Sequence, residues 1–581
     1  MESKVSEAKF FKVVLEQDLK VVMRDGTILR ADVYRPDSPD KFPVLLQRTP
    51  YDKSRPTSIE MTQLLAERGY ISIIQDVRGR YASEGDFHPG FYSGKHYDAE
   101  DGYDTVEWAA RLPWSTGKVG TVGNSYCGWT QWELAHTRPP HLFAMLPQGC
   151  VANLLDRELS AVPRLGRILS WTIGLSTDQR RRDEEIWGPK CQDEADLLWM
   201  KHERSKWLWF LPIQDIPESS IYGMSQQWKL WLNSHTEDNF SFESKHHLID
   251  VPVLNTTGWY DQQIWTTKQF TGMSSNGMTK HARNNQHIMI GPWTHTAVNW
   301  DRKVGDIDFG TQAELSYYDI ADEWFSYWLK GENNAVADWS PVQIFVMGAN
   351  QWRSEMEWPL KRTVYTDFFI HSGGNANTAK GDGTLSKTFP SEEIPDSFTY
   401  DPRDPLMTLY SPAGQQEPQD QKVFDGRQDV LMYISKPLIN EMEVTGVPEV
   451  QLYAASSATD TDFVAKLLDV WPDGFTQEIC HGILRARYRE SYTDPTLIEP
   501  GKIYEYTIRL NPTSNLFKEG HQIRLDITSS DFPNFDRNHN TGGDDSTETT
   551  LISADQTVFH DTVRPSKIIL PVIPKRNAKV T

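Results

Sequence analysis

Apolar and polar positions alternate through residues 19–23 and 27–34, and the two runs flank Asp25-Gly26. Period-two alternation on both sides of an Asp-Gly pair predicts an opening β-hairpin. Further along, the pattern changes to short apolar runs at 42–46, 70–74, 118–122 and 142–146 and, after a long gap, at 251–254 and 287–290. Runs of this length, separated by helix-length stretches, read as buried parallel strands of an α/β sheet. Residues 103–111, with Val106, Ala109 and Ala110 on one side, predict a crossover helix.

The gap at 151–248 has a different texture, with amphipathic helical stretches near 194–209 and 225–232. It carries seven tryptophans: Trp171, Trp187, Trp199, Trp207, Trp209, Trp228 and Trp231. A helical cap is expected there, with most of these rings in its core and one or two lining a pocket. Beyond residue 345 helical periodicity nearly vanishes. Strand-like segments at 430–434, 450–454, 462–470, 503–510 and 522–528 alternate with Gly- and Pro-containing turns, which predicts an all-β jelly roll. Residues 373–386, rich in Gly, Asn and Thr, predict an exposed loop. The expected organisation is an α/β-hydrolase domain in two parts (1–150 and 249–345), a helical cap (151–248) and a jelly-roll β-sandwich (346–581).

A net charge of −21 argues against nucleic acid or an anionic membrane as partner, because phosphates are repelled. Four cysteines without C-x-x-C spacing exclude a disulfide scaffold or a cysteine-rich zinc site. No signal peptide or long apolar span is visible, so a cytoplasmic protein is expected.

The run 118–122 ends in Gly123-Asn124-Ser125-Tyr126-Cys127-Gly128, and a helix-like stretch, 129–136, follows. A serine at a strand-to-helix turn is how α/β-hydrolases expose a nucleophile above a parallel sheet. The second glycine falls one place later than in G-x-S-x-G, and Cys127 stands in its position. A serine nucleophile needs a base and a carboxylate to orient that base, in the chain order Ser, acid, His. Two later strand ends supply them: 251–254 runs into Gly258-Trp259-Tyr260-Asp261, and 287–290 runs into Gly291-Pro292-Trp293-Thr294-His295. The Tyr126 N–H and the Tyr51 hydroxyl, the latter in the loop after 42–46, are candidate oxyanion donors. Taken singly, each residue also fits a loop, packing or surface role. Their order and their positions at strand ends single them out.

The set Arg48-x-Pro50-Tyr51-Asp52-Lys53, Asp76-x-Arg78-Gly79-x4-Glu84-Gly85, Gly123-x-Ser125-Tyr126-x-Gly128, Gly258-Trp259-Tyr260-Asp261 and Gly291-Pro292-Trp293-x-His295 resembles the cocaine esterase family. That family also holds X-Pro dipeptidyl peptidases, α-amino-acid ester hydrolases and glutaryl-cephalosporin acylases. The likeness continues into Asp460-Thr461-Asp462-Phe463 and Ser530-Asp531-Phe532-Pro533, and the late glycine is the family's own pattern. The resemblance implies Ser125 as nucleophile, His295 as base and then acid, Asp261 as orienter, and Tyr51 with Tyr126 as oxyanion hole. It also places Trp171 in an acyl pocket, and Gln262 and Gln263 are substrate-binding candidates beside Asp261.

α-Amino-acid ester hydrolases carry acids two and three positions after the triad Asp, where this chain has Gln263 and Ile264. A required free α-amine is therefore not expected, nor is the extra N-terminal domain of X-Pro dipeptidyl peptidases. The expected enzyme is a carboxylesterase or acylase acting on a small ester or amide with a neutral acyl group. Alternatives are an acyltransferase with the same triad and a non-catalytic jelly-roll binding protein. No cofactor or metal is expected, and a homo-oligomer stays open. Asp536-x-Asn538-x-Asn540 only begins like a calcium loop, because Gly542 is one place late and Thr547 stands where a Glu belongs. The pair His246-His247 lacks zinc-ligand spacing.

Overall fold

The computed structural model describes residues 10–90, 96–153, 162–183, 185–234, 241–296, 298–410 and 417–575. Residues 1–9, part of the stretch read for a signal peptide, lie outside these, as do residues 154–161, 184 and 235–240 of the expected cap.

β1 (Val13–Val22) and β2 (Ile28–Pro36) pair antiparallel across Asp25-Gly26, where Gly26 has φ of 88°. Without a Cβ, glycine takes that conformation at no steric cost. β3 (Phe42–Thr49), β4 (Ile71–Asp76), β5 (Ser115–Asn124), β6 (Leu142–Gln148), β7 (Val253–Gly258) and β8 (Gln286–Gly291) each overlap one of the six apolar runs. They run parallel in the order β4-β3-β5-β6-β7-β8. Both faces of this sheet are covered, which is why its strands read as continuous apolar runs. Val44, Leu45, Ile71, Ile73, Val119, Leu146 and Ile288 are all buried.

Two strands that the apolar pattern does not mark complete a ten-stranded sheet. β9 (Val342–Val346) lies parallel to β8, and β10 (Gln351–Glu355) forms an antiparallel edge beside β9. Helices α1 (Pro56–Glu67), α2 (Asp98–Ala110) and α3 (Tyr126–Ala135) cover the sheet, and α2 contains most of the expected crossover.

The 162–234 region is helical, with α4 (Leu165–Arg182), α5 (Gln192–Leu198) and α6 (Ser225–Ser234) as its regular pieces. Trp199, Trp207, Trp228 and Trp231 are buried in it. Each such burial contributes a few kcal/mol, on the order of 1.5–3 for a large apolar side chain. Trp187, 86% exposed, packs on nothing comparable. Among the described residues no helix is long and apolar enough to cross a membrane.

The C-terminal region is strand-rich and builds a second sheet of thirteen strands, mostly antiparallel. Leu431–Ser435, Glu449–Ser456, Asp462–Val470, Tyr504–Arg509 and Gln522–Thr528 occupy the five expected strand segments. The loop expected at 373–386 is not wholly exposed. Thr384–Ser386 is a strand between Val364–His371 and Leu431–Ser435, and Ala376 is buried. Its period-two pattern is too short, at three residues, to register in the sequence.

Three of the contacts between this region and the rest of the chain fall close to the strand ends and to α4. Gln477 Nε2 donates to Tyr260 Oη at 2.8 Å, whose hydroxyl donates to the Glu478 carbonyl at 3.3 Å. Trp265 Nε1 donates to Asn511 Oδ1 at 3.1 Å. The Gly166 N–H, in the first turn of α4, donates to the Pro533 carbonyl at 2.7 Å.

Candidate active site

Ser125 sits between β5 and α3 with φ of 60° and ψ of −120°. Positive φ at a non-glycine residue costs on the order of 1–3 kcal/mol and persists only when its surroundings over-determine it. Here the Ser125 N–H donates to the Gln148 carbonyl at 2.9 Å, and its carbonyl accepts from Gly128 and Trp129 at 2.9 and 2.8 Å. A Cβ at Gly123 would lie 2.5 Å from the Cys127 Cβ, so the turn closes only on glycine. The late glycine has an equally local cause. A Cβ at Gly128 would lie 2.9 Å from the Gln148 carbonyl, where the first turn of α3 presses on β6. Cys127 points inward, takes a hydrogen bond from Gln47 Nε2 at 3.6 Å, and burial pushes its thiol up to about 11. It is protonated at neutral pH and is no rival nucleophile.

β7 and β8 end side by side at Gly258 and Gly291. A Cβ at Gly258 would lie 2.0 Å from the Trp293 carbonyl, so the loops beyond them approach closely only through glycine. The Trp259 N–H donates to the Gly291 carbonyl at 2.9 Å and the Tyr260 N–H to the Trp293 carbonyl at 3.0 Å. The indoles pin the loops from outside: Trp259 Nε1 donates to the Phe345 carbonyl at 2.7 Å and Trp293 Nε1 to that of Ala313 at 2.9 Å.

This zipper sets His295 Nδ1 2.9 Å from Asp261 Oδ1. Both side chains are buried, and the carboxylate also accepts from the Gln263 N–H at 2.7 Å and Thr257 Oγ1 at 3.2 Å. An ionised Asp261 holds the ring proton on Nδ1, which leaves the Nε2 lone pair outward. Nε2 is buried with no hydrogen-bond partner among the described residues. His295 lines a cavity of about 800 Å³ together with Ser125. Gly149, at φ of 47°, marks the convergence. A Cβ there would lie 2.8 Å from Asp261 Oδ2, 2.9 Å from Asn124 Oδ1 and 3.1 Å from His295 Cε1.

Tyr51 follows β3, and its Oη accepts from Trp171 Nε1 at 3.0 Å. Burial pushes its phenol up to about 12, so it is a donor at neutral pH, and Ser125 is among its hydrogen-bonding neighbours. With one lone pair occupied by the indole, the hydroxyl still has its proton to offer to an oxygen that forms beside Ser125. The Tyr51 loop is anchored on both sides: the Lys53 N–H donates to Asp76 Oδ1 at 2.8 Å, and buried Arg80 Nε donates to the Pro50 carbonyl at 2.9 Å. Arg80 Nη1 reaches the Leu175 carbonyl of α4 at 2.9 Å, tying this loop to the helix that carries Trp171. Tyr51→Phe is expected to lower kcat roughly 10²–10³-fold with little change in KM. Steady-state kinetics on one ester checks it, and an unchanged kcat removes Tyr51 from the oxyanion hole.

Tyr126 is the first residue of α3, so its N–H belongs to the turn whose donors face outward along the helix dipole. Its hydroxyl donates to Asp98 Oδ2 at 2.8 Å, and its ring stacks on Trp171 with centroids 6.4 Å apart. Gln262 and Gln263 line a smaller cavity of about 40 Å³ with Tyr51, Ser125 and Trp171. Arg164 and Arg167, which the sequence analysis passes over, line it too. An arginine on an amphipathic helix carries no mark that separates a pocket wall from a solvated face. Among the described residues no group of three or more His, Cys, Asp or Glu is arranged to hold a metal ion.

A serine on a strained strand-to-helix turn, with an aspartate–histidine pair on the next strand ends, is the layout of a serine hydrolase on an α/β sheet. Two family models match the chain: X-Pro dipeptidyl-peptidase (S15 family) over residues 25–297, and the X-Pro dipeptidyl-peptidase C-terminal non-catalytic domain over 334–569. Cocaine esterase of Rhodococcus sp. (strain MB1 Bresler) is 36% identical, covering 96% of this chain and 98% of its own. The chain belongs to this family of serine hydrolases, the one that holds cocaine esterase and the S15 peptidases. Among solved structures, an aminopeptidase from a marine sediment Thaumarchaeota archaeon has a TM-score of 0.82 at 24% identity, covering 99% of this chain and 98% of its own. An α-amino acid ester hydrolase has a TM-score of 0.76 at 23% identity, covering 98% of each chain. At those identities the structural likeness speaks for the fold alone.

Proposed function

We propose that the protein cleaves an ester or amide acyl bond through an acyl-enzyme on Ser125. The observation that carries this is that His295, whose buried Nε2 has no hydrogen-bond partner among the described residues, lines the same cavity as Ser125. Nε2 takes the Oγ proton as Oγ bonds to the substrate carbonyl carbon. The oxyanion accepts from the Tyr51 hydroxyl and the Tyr126 N–H. Collapse breaks the bond to the leaving oxygen or nitrogen, and His295 passes its proton to that atom. A water, deprotonated by His295, then adds to the acyl carbon and releases the acid, with Oγ recovering its proton. Asp261 stays ionised and balances the transient imidazolium.

A requirement for a free α-amine is disfavoured. Gln263 is neutral, Ile264 is buried, and Arg167 lines the same small cavity, where an ammonium would be repelled. The antiparallel order of the second sheet supports taking the C-terminal region as a jelly roll, with chain divisions near 150, 248 and 345. The mechanism is tested by acid-quenching the enzyme seconds after mixing with an activated ester. Mass spectrometry is expected to find the acyl mass on the peptide containing Ser125. Turnover with no acyl adduct, or an adduct on another residue, overturns it.

A further inference from the structure

Two cavities meet at Ser125, and His295 lines the large one only. Because His295 protonates the leaving atom, the leaving group departs into the large cavity and the acyl substituent takes the small one. At about 40 Å³ the small cavity has room for roughly three waters, which limits the acyl chain to a few heavy atoms beyond the carbonyl.

Most polar groups on its wall are already engaged. The Gly149 N–H donates to the Thr256 carbonyl at 2.8 Å and the Cys150 N–H to Thr266 Oγ1 at 3.0 Å. Arg164 Nη1 donates to Asn534 Oδ1 at 2.7 Å, and the Tyr51 hydroxyl is held for the oxyanion. Two carboxamides differ. The backbone of Gln263 is fixed: its N–H donates to Asp261 Oδ1 at 2.7 Å, and its carbonyl accepts from the Thr266 N–H at 2.8 Å and from Thr266 Oγ1 at 2.7 Å. Gln263 lines the cavity at only 9% exposure, yet its carboxamide makes no hydrogen bond among the described residues. Half-buried Gln262 lines the same cavity, and its carboxamide makes none among those residues either.

A carboxamide presents an acceptor oxygen and two donor hydrogens, and a buried one left unpaired is costly. Leucine would fill the same space without that cost, so glutamine at this depth fits a ligand that both accepts and donates. An ammonium cannot accept, and Arg167 on the same wall repels it. A carboxylate cannot donate and leaves the carboxamide oxygens unmet. A hydroxyl does both. Water can meet these groups before substrate arrives, and a hydroxyl replaces it without loss where a methyl does not.

We propose that Gln263, with Gln262 beside it, binds a hydroxyl on the acyl chain, and that the substrate is an ester or amide of a short, uncharged hydroxy acid. This rests on the acyl-enzyme at Ser125, and it adds a hydroxyl to the neutral acyl group expected from the sequence.

Two pairs of methyl esters test it, each pair differing by a hydroxyl in place of a methyl: lactate against isobutyrate, and 3-hydroxybutyrate against isovalerate. Hydrolysis is followed in a pH-stat. Each ratio of kcat/KM is divided by the ratio of the two esters' rates in plain alkali, which removes the inductive pull of the hydroxyl. At least one pair is expected to favour the hydroxy ester about tenfold or more, because the methyl analogue leaves a buried amide unpaired. Gln263→Leu, which keeps the size and removes the carboxamide, is expected to bring that ratio to one or below. Gln262→Leu, at the more exposed of the two positions, is expected to lower it severalfold. Labelling by a fluorophosphonate reports in parallel that each protein is folded and its serine competent. Ratios near or below one in both pairs overturn the proposal, as does a ratio that survives Gln263→Leu, or Gln262→Leu if the former does not label. So does a wild type that is labelled but hydrolyses none of the four esters. Those outcomes leave Ser125 in place. A wild type that is neither labelled nor active removes Ser125 as nucleophile, and this subsite with it.

Discussion

Ser125→Ala is expected to abolish fluorophosphonate labelling and to lower kcat roughly 10⁴–10⁶-fold, while leaving the fold intact. The size of the loss follows from the geometry. Cys127 next door is buried and protonated, so nothing nearby substitutes for the lost oxygen. What remains is the water reaction assisted by the Tyr51 and Tyr126 donors, which act without a nucleophile. The elbow itself survives, because its hydrogen bonds run through the backbone of residue 125. Removal of one partly exposed hydroxyl should leave stability within about 0.5 kcal/mol of the wild type. Intact-protein mass spectrometry after probe treatment, with thermal unfolding as control, checks both halves. A mutant that labels like the wild type would mean that another serine carries the chemistry.

His295→Gln is expected to cost as much as the serine change, again roughly 10⁴–10⁶-fold, because the two act as one unit. Glutamine is the informative replacement. Its amide can still donate toward Asp261, which otherwise keeps only Gln263 and Thr257 as donors inside a buried site. It cannot accept the Oγ proton and return it to a leaving group. Combining it with Ser125→Ala should add almost nothing to the loss, a non-additivity that independent contributors would not show. The residual rate of His295→Gln is expected to climb about tenfold per pH unit, as hydroxide takes over the role of base. Initial rates of the single and double variants across pH settle it. Additive losses, or a single variant with near-normal turnover, would remove His295 from the mechanism.

The features legible in the sequence are those where backbone sterics allow one residue type. Gly123, Gly128, Gly258 and Gly291 stand where a Cβ would meet an atom within 3 Å, so they carry the elbow and the zipped loops into the motif itself. The strands β3 to β8 were readable because burial on both faces forces an unbroken apolar run. β10 was not, since Gln-Trp-Arg-Ser-Glu on a sheet edge buries no apolar residue fully and resembles any polar loop. Trp171 was expected in an acyl pocket, but its bond to Tyr51 depends on Arg80 drawing α4 and the Tyr51 loop together. Arg167 was illegible for a different reason. On a helix the sequence pattern does not separate an arginine that walls a cavity from one on a solvated face.

The C-terminal region is matched by a domain described as non-catalytic, yet its contacts end one residue from Asp261, at Tyr260, and one residue from Arg167, at Gly166. Asp261 and Arg167 are therefore calibrated from outside the sheet that bears Ser125. Chimeras that graft this sheet onto a relative's C-terminal half would inherit a nucleophile with a foreign alignment of its acid and its acyl wall. In this architecture Gln477 and Asn511 are where breeding for a new substrate can act behind the cavity walls, whereas Pro533 itself lines the cavity that holds Ser125 and His295.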